Sequence, residues 1–186
     1  AICEGNQELA NSVDSGLVPQ ERLAYQVLSY DGETLRFYID GQLMTSLIGS
    51  YSSFDIGLTI GRRVSNDSEF LKMDFRDLEV YNRPLTPLEI KMRLDNQYYI
   101  DIQSSADPFG DGSLVAKYQL DGDAQDLTGN YHGVASNVTY QAGKFGQCGV
   151  FNGIDSDIEN TTLFNQMMKG SYSVSLFFKL HNHTAE

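Results

Sequence analysis

The stretch "AYQVLSYDGETLRFYIDGQL", residues 24–43, carries the pattern that decides the fold. Asp31-Gly32 and Asp40-Gly41 each supply a turn signal, because Gly tolerates the positive φ of a tight hairpin. Apolar side chains between the two turns recur with the period of two that marks a strand with one buried side. They are Leu35, Phe37 and Ile39. The stretch therefore predicts a strand, a hairpin turn, a second strand and a further turn.

Two more strands are predicted downstream, in "GLTIG" (57–61) and "KMDFRDLEVY" (72–81). In the second of these, Met73, Phe75 and Leu78 break strict alternation. One extra residue in a strand shifts the side-chain pattern in this way, so we expect a β-bulge near Arg76 or Asp77.

A short helix is predicted in "NRPLTPLEIKMRL", residues 82–94. Thr86 is suited to the N-cap, Pro87 to the first helical position, and Glu89 closes a capping box. We expect the helix to pack through Leu88 and Met92, which are one turn apart. Ile90 and Leu94 would add to the packed face.

The second part of the chain repeats the strand-and-turn pattern. Residues 101–113, "DIQSSADPFGDGS", are rich in Asp, Ser and Gly, as linkers and surface loops are. Strands are predicted in "LVAKYQLDG" (114–122) and in "SYSVSLFFKLH" (171–181), which alternates clearly, whereas "DSDIEN" (155–160) reads as a surface turn. Many short strands separated by turns predict an antiparallel sandwich.

Composition narrows the class of protein. The 186 residues carry a formal net charge of -12, with 41% apolar and 20% charged residues. Nucleic-acid binding needs a basic surface, and attraction to anionic lipid needs the same, so neither partner is expected. No apolar run approaches the ~18 residues of a membrane-spanning helix, so no membrane insertion is expected.

Two sets of motifs resemble one family, the laminin-G-like, concanavalin A-like lectin/glucanase jelly-roll domains. "YQVLSYDGETLRFYIDGQL…LTIGRR…FRDLEVYNRPLTPLEI" is similar to the closing half of such domains. "LVAKYQLDGDAQDLTGNYHGVASNVTYQAGKFGQCGVFNG…SYSVSLFFKL" is similar to the opening half. The resemblance implies an all-β fold, an antiparallel jelly-roll β-sandwich with one short helix. It divides the chain into a late half at 1–98, a linker or surface loop at 99–113, and an early half at 114–186.

The two halves stand in reversed order along the chain. Three arrangements are open at this point: a circular permutant whose halves close on each other, a segment cut across two successive domains, or completion between neighbouring chains. A half sandwich exposes an apolar face and strand edges, so something has to cover each half.

The resemblance also implies a structural calcium ion, with Asp126, Asn130 and Asp77 as ligands. Calcium prefers six to eight hard oxygen ligands, which carboxylates and amides supply. The alternative is that these are turn residues that bind their own backbone. The chain contains no Trp, although the family usually carries one at two positions of its motifs, and this absence weakens the transfer of any binding property that depends on Trp.

Two kinds of covalent site are predicted. Cys3 and Cys148 either form one disulfide, which would imply an oxidising compartment, or remain free thiols. Four sequons would be glycosylation sites in a secreted eukaryotic protein. Their acceptor residues are Asn66, Asn137, Asn160 and Asn182.

Signals of other chemistry are weak. His181 and His183 are two residues apart and would lie on the same face of a strand, but the sequence shows no third zinc ligand nearby. Loop aromatics can stack on sugar rings, although core packing is the commoner role; they are Tyr51, Phe54 and Tyr131. A glycoside hydrolase needs two closely spaced carboxylates on a strand, and the sequence contains no such pair. It also shows no Ser or Cys nucleophile with an oriented His.

These observations predict a secreted or cell-surface, non-catalytic recognition or adhesion module. Its partner would be a glycan or an extracellular protein, with possible help from Ca²⁺. The alternative is a structural subunit of an extracellular fibre or surface layer, whose half-domains complete one another head to tail. A residual hydrolase is a third hypothesis.

Overall fold

The structure, a computed structural model, describes residues 3–4, 7–8, 18–49, 58–62, 69–95, 107–144, 146–160, 162 and 170–181. These residues form thirteen strands and one helix: β1 (Cys3–Glu4), β2 (Gln7–Glu8), β3 (Leu23–Tyr30), β4 (Thr34–Ile39), β5 (Gln42–Ile48), β6 (Leu58–Ile60), β7 (Lys72–Tyr81), α1 (Pro87–Asp95), β8 (Leu114–Tyr118), β9 (Val134–Ser136), β10 (Thr139–Ala142), β11 (Gln147–Asn152), β12 (Asp157–Asn160) and β13 (Tyr172–Leu180).

The hairpins predicted from the opening stretch are confirmed. Strand β3 pairs antiparallel with β4, and β4 with β5. The Asp31 carboxylate accepts the backbone N–H groups of Glu33 and Thr34 at 3.0 and 2.7 Å, which fixes the first turn. In the second turn, Asp40 and Gly41 have φ of 48° and 78°. Positive φ at both central positions is what a two-residue hairpin loop of type I′ requires.

One large sheet dominates the described residues, with strand order β10-β11-β7-β13-β3-β4-β5. Strand β7 carries the predicted bulge, because Asp77 has φ 49° and the register with β13 shifts between Ser175 and Phe177. The bulge lets one edge of β7 serve two partners. Residues 72–75 pair with β11, and residues 78–81 pair with β8.

The two segments that resemble half-domains pair with each other within this one chain. Strand β13, from the second segment, lies between β3 and β7 of the first. In the smaller three-stranded sheet, β12 of the second segment pairs with β6 of the first and with β9. Each segment therefore covers strand edges of the other, and the described pairing needs no second chain.

The two sheets pack face to face around one apolar core, which makes the chain an all-β antiparallel sandwich with a short helix, as predicted. Ile60 and Ile158 of the small sheet join the same buried cluster as Leu28 and Val80 of the large sheet. The sheets approach closely at Gly61, where a Cβ would lie 2.5 Å from Cδ1 of Phe151.

The opposite face of the large sheet, which we call the outer face, is partly covered by α1. A second apolar cluster lies beneath the helix and contains Tyr25, Tyr38, Phe177 and Ile90. The predicted capping box is confirmed: the Thr86 N–H donates to Glu89 Oε2 at 2.8 Å, and the Glu89 N–H donates to Thr86 Oγ1 at 3.3 Å.

Two local predictions are wrong. Leu88 and Met92 do not pack the helix down, since they are 68% and 46% exposed. The helix instead turns Ile90 and Arg93 to the sheet, because Arg93 is held by an acidic partner there. The stretch 155–160 is not wholly a surface turn either, because its last four residues form β12 and bury Ile158 between the sheets.

Candidate functional site

The loop predicted to bind calcium is organised around a buried carboxylate. Asp126 is 2% exposed, and its Oδ1 accepts the N–H groups of Lys117 and Thr128 at 2.8 and 3.0 Å. Its Oδ2 accepts the N–H groups of Asn130 and Tyr131 at 3.1 and 3.0 Å, and the Thr128 hydroxyl at 2.5 Å. Burial alone would raise the pKa of Asp126, but these donors outweigh it and lower the pKa.

The predicted calcium ligands fit the ion poorly in this arrangement. Both oxygens of Asp126 are occupied by protein donors, as the turn interpretation expects. Asp77 is buried and accepts Nε of Arg76 at 2.8 Å, while the exposed Asn130 amide donates to Thr128 O at 3.3 Å. In the part of the chain that the structure describes, no group of three or more His, Cys, Asp or Glu could hold a metal. Calcium binding by these three residues stays a prediction.

A cluster of charged groups is fully buried on the outer face, beneath α1. We call it the covered cluster: Glu79, Arg93 and Lys117. Glu79 Oε1 lies 2.6 Å from Nη2 of Arg93 and 3.2 Å from Nζ of Lys117. Tyr81 Oη and Arg93 Nε both donate to Glu79 Oε2, each at 2.8 Å.

The electrostatics of the covered cluster favour the charged forms of both Glu79 and Arg93. Burial alone raises the pKa of Glu79, but Arg93 and Lys117 outweigh it and lower the pKa. Burial lowers the pKa of Arg93, and the facing carboxylate of Glu79 reverses this and raises it. None of the three side chains is more than 4% exposed, so the cluster acts within the fold and has no access to a ligand.

A second polar cluster lies on the part of the outer face that α1 leaves uncovered. We call it the open cluster: Glu21, Asp74, Gln141, Lys179 and His181. Neighbours of Asp74 and Lys179 along β7 and β13 point into the core, so alternation places these two on the outer face. The side chains of the four charged or ionisable members are 20 to 45% exposed, so ligands can reach them.

The open cluster is held together by its own contacts. His181 Nε2 lies 3.1 Å from Asp74 Oδ1, and its Nδ1 lies 3.5 Å from Glu21 Oε2. Lys179 Nζ lies 3.7 Å from the same Glu21 oxygen. Gln141 Nε2 donates to Asp74 Oδ1 at 3.3 Å. Carboxylate, amide, ammonium and imidazole groups in fixed orientations are suited to binding hydroxyl-rich or polar ligands.

Sequence reasoning missed the open cluster as a unit. Its members come from a loop, from β7, β10 and β13, and from the residue after β13. Lys179 lies in a strand whose alternation is evident from the sequence, but only the strand order brings β10, β7 and β13 together. His181 was considered with His183 for zinc; His183 lies outside the described residues.

The predicted covalent sites have different outcomes. Cys148 is a free, buried thiol in the structure, as one of the two alternatives for Cys3 and Cys148 expects. Its Sγ would lie 3.5 Å from a Cβ at Gly143, under the β10–β11 turn, and nothing is described of the Cys3 side chain. Burial raises the pKa of the Cys148 thiol.

Of the four sequons, two have described structure. Asn137 is exposed at the β9–β10 turn, and its amide donates to Asp155 Oδ2 at 3.1 Å, an exposed contact that a glycan would replace. Asn160 does not fit a glycan in the folded chain, because it is 8% exposed and its amide donates to His132 O at 2.9 Å. Asn66 and Asn182 lie outside the described residues, as do the loop aromatics Tyr51 and Phe54. Tyr131 is half-buried and packs against the core.

Comparison with known families bears on the first part of the chain. Residues 2–91 match the laminin G model described as the concanavalin A-like lectin/glucanases superfamily. The resemblance is thereby confirmed over this segment. The superfamily match runs from β1 through β7 and ends inside α1. No curated protein and no solved structure matches the chain.

The superfamily contains both lectins and glucanases, so a domain of this kind suggests carbohydrate or protein binding. Within the described residues, no helix is long and apolar enough to cross a bilayer.

Proposed function

We propose that the protein is a secreted, non-catalytic recognition module that binds a glycan, or the surface of an extracellular protein, through the open cluster. The observation that carries the proposal is the cluster itself. Its polar side chains are partly exposed and hold one another in place on a rigid sheet, within a fold of the lectin/glucanase type. Such a surface needs little reorganisation to bind, which limits the entropic cost of association.

The ionisation of the described carboxyl groups supports a non-catalytic role. A glycoside hydrolase needs a carboxylic acid whose pKa is raised, so that it can protonate the leaving group. Five of the described carboxyl groups have a pKa that is displaced downward by hydrogen-bond donors or cations. These groups are Asp31, Glu79, Glu89, Asp111 and Asp126. They are therefore suited to act as fixed anions and acceptors.

An extracellular location is part of the proposal. Laminin-G-like domains are typically extracellular, and the exposed sequon at Asn137 could carry a glycan without disturbing the core. The net charge of -12 keeps such a module in solution without attraction to anionic lipid.

Calcium assistance remains an additional proposal. Both oxygens of Asp126 accept hydrogen bonds from the protein, so an ion bound by Asp126, Asn130 and Asp77 would have to replace some of these donors. Thermal unfolding measured in about 2 mM CaCl₂ and in EDTA tests calcium binding directly, because extracellular calcium sites typically bind in about the millimolar range. A calcium-dependent rise in Tm would support assistance.

The alternative function is a structural subunit whose half-domains complete one another between chains. The pairing of β13 with β3 and β7 already supplies that completion within one chain, so we place this alternative second. Light scattering distinguishes the two, because a fibre subunit grows into long assemblies and a recognition module does not.

The test of the proposed function is a glycan array, followed by titration calorimetry on any hit. We expect Asp74→Ala and His181→Ala to weaken binding at least about tenfold, since each removes a group that binds or positions the ligand. Lys91→Ala is the matched control, because Lys91 forms an exposed pair with Asp95 on α1, away from the open cluster. Binding left unchanged by both cluster variants would refute the proposed site.

A further inference from the structure

One imidazole is shared between the two carboxylates of the open cluster. His181 Nε2 lies 3.1 Å from Asp74 Oδ1, and His181 Nδ1 lies 3.5 Å from Glu21 Oε2. A neutral imidazole carries a proton on only one of its two nitrogens. The neutral ring therefore donates a hydrogen bond toward only one of the two carboxylates at a time.

Asp74 has an oxygen that the protein leaves to a ligand. Its Oδ1 faces His181 and accepts the Gln141 amide at 3.3 Å. Within the part of the chain that the structure describes, no donor lies at hydrogen-bond distance from Oδ2, and the side chain is 20% exposed. Oδ2 is therefore an acceptor that a donor from outside can reach.

The charge of the cluster selects the kind of donor. The cluster contains two carboxylates, Glu21 and Asp74, but only one ammonium, that of Lys179. With a neutral imidazole, negative charge exceeds positive charge at the site. The whole chain carries a net charge of -12, and its field attracts cations as well. A cationic donor is therefore favoured over a neutral one.

We propose that the ligand of the open cluster is a glycan with free amino groups, such as an oligomer of a deacetylated hexosamine, and that one of its ammonium groups binds Asp74. This inference rests on the proposed function and adds the chemical class of the ligand. An ammonium offers three N–H donors, and its hydrogen bonds to a carboxylate are among the strong ones because both partners are charged.

A row of residues across the strands around Asp74 favours a glycan over the lysine side chain of a protein. Val150 on β11 is opposite Asp74 on β7. Asp74 is opposite Lys179 on β13, which in turn is opposite Leu23 on β3. With ~4.8 Å between neighbouring strands, this cross-strand row spans roughly 14 Å of the outer face. Its half-buried apolar ends, Val150 and Leu23, offer contacts to the C–H groups of an oligosaccharide. A single lysine side chain reaches only one point of the row.

The backbone holds the charged groups of the site in place before a ligand arrives. The Glu21 N–H donates to Leu180 O at 2.8 Å, and the His181 N–H donates to Lys72 O at 3.0 Å. Both residues are thus tied to the end of the large sheet, although they lie outside its strands. A site fixed in this way loses little conformational freedom when an ammonium binds.

The test is titration calorimetry at pH 7 with two probes of equal length: a glucosamine oligomer with free amino groups, and the same oligomer with every amino group acetylated. Acetylation removes the positive charge and keeps the rings and hydroxyl groups. We expect the free-amine oligomer to bind at least about tenfold more tightly, since hydrogen bonds between charged groups exceed neutral ones in strength.

Two substitutions change the charge of the site in opposite directions. Asp74→Asn keeps the shape of the side chain and should weaken the free-amine oligomer about tenfold, while the acetylated oligomer stays within about threefold. Lys179→Gln removes a cation that repels the bound amine and should tighten the free-amine oligomer about threefold. Asp95→Asn and Lys91→Gln are the matched controls. They make the same changes in net charge at an exposed pair on α1 and should leave both affinities unchanged.

The outcomes separate this inference from the proposed function. Equal binding of the two oligomers, lost in Asp74→Ala, would overturn the amine assignment and leave the proposed function intact. Failure of both oligomers and of every arrayed glycan to bind would overturn glycan recognition itself, and this inference with it. A lysine-rich peptide that displaces the free-amine oligomer and binds at least as tightly would overturn the glycan in favour of a basic protein. An amine preference unchanged by Asp74→Asn would place the ligand elsewhere and overturn the inference as well.

Discussion

The covered and open clusters lie on the same face of the same sheet, and both contain acidic and basic side chains. In the covered cluster, Glu79 is 0% exposed and is neutralised by two cations. In the open cluster, Asp74 and Glu21 keep 20% and 45% of their side chains exposed. The difference between them is the position of α1, which lies over one cluster and leaves the other uncovered.

This comparison shows that burial, more than residue type, decides what a charge does in this protein. Charges removed from water destabilise the fold unless they are paired, so the covered cluster depends strongly on each member. Partly solvated pairs contribute little to stability, which leaves the open cluster available for binding. Four variants, the last with a matched contrast, test the effect of burial, taken from the largest expected effect to the smallest.

Arg93→Ala should have the largest effect on folding. It removes two hydrogen bonds to Glu79 and leaves that carboxylate buried with Lys117 as its remaining cation. Breaking a buried pair costs about 3–5 kcal/mol, and we expect the loss to fall in this range because Lys117 alone, at 3.2 Å from Glu79, replaces only part of the lost compensation. Urea unfolding measures the loss. A loss below 1 kcal/mol would show that the covered cluster is not a structural unit.

Asp126→Asn should destabilise the fold by about 1.5–3 kcal/mol at pH 7, since the carboxylate accepts five hydrogen bonds that an amide cannot reproduce. The effect should depend on pH. The folded pKa of Asp126 is lowered, so its contribution is present above the unfolded pKa of about 3.9 and is lost as pH falls through the folded pKa.

Unfolding free energies of wild type and Asp126→Asn, measured from neutral pH to pH 2, test this sign. The gap between the two proteins should narrow on acidification. A gap that stays constant would mean that Asp126 does not fold as an anion.

His181→Ala should change the unfolding free energy by less than about 1 kcal/mol, because its contacts to Asp74 and Glu21 are partly solvated. The same variant is expected to weaken ligand binding, as proposed above. A large loss of stability with unchanged binding would reverse the roles that we assign to the two clusters.

Leu88→Glu should have the smallest effect, within about 0.5 kcal/mol, because Leu88 faces solvent on α1. Ile90→Ala on the same helix is the matched contrast. Ile90 is fully buried, and its truncation should cost about 2–5 kcal/mol. Equal effects of the two variants would show that α1 packs through a different face.

Local features of the fold could be predicted from the sequence because their causes are local. The turns at Asp31-Gly32 and Asp40-Gly41 need positive φ, and the capping box needs Thr86 and Glu89 three residues apart. The bulge at Asp77 left a break in the apolar pattern of β7. Each of these signals lies within a few residues of the structure it predicts.

Features that depend on distant residues could not be predicted in this way. The face of α1 that packs down is set by Arg93 and its partner Glu79 on β7, so apolar spacing alone selected Leu88 and Met92 instead. Ile158 belongs to a strand only because β6 and β9 flank it. The open cluster likewise exists only once the strand order is known.

The central position of β13 has a consequence for how the protein is made. During synthesis, β3 and β7 leave the ribosome well before β13, which begins about 90 residues after β7 ends. At a synthesis rate of ~5–20 residues per second, the position between β3 and β7 stays empty for roughly 5–20 s until β13 is made. During that interval β3 and β7 lack β13, the strand with which both pair. A nascent-chain binding factor that covers their exposed edges should therefore raise the yield of folded protein.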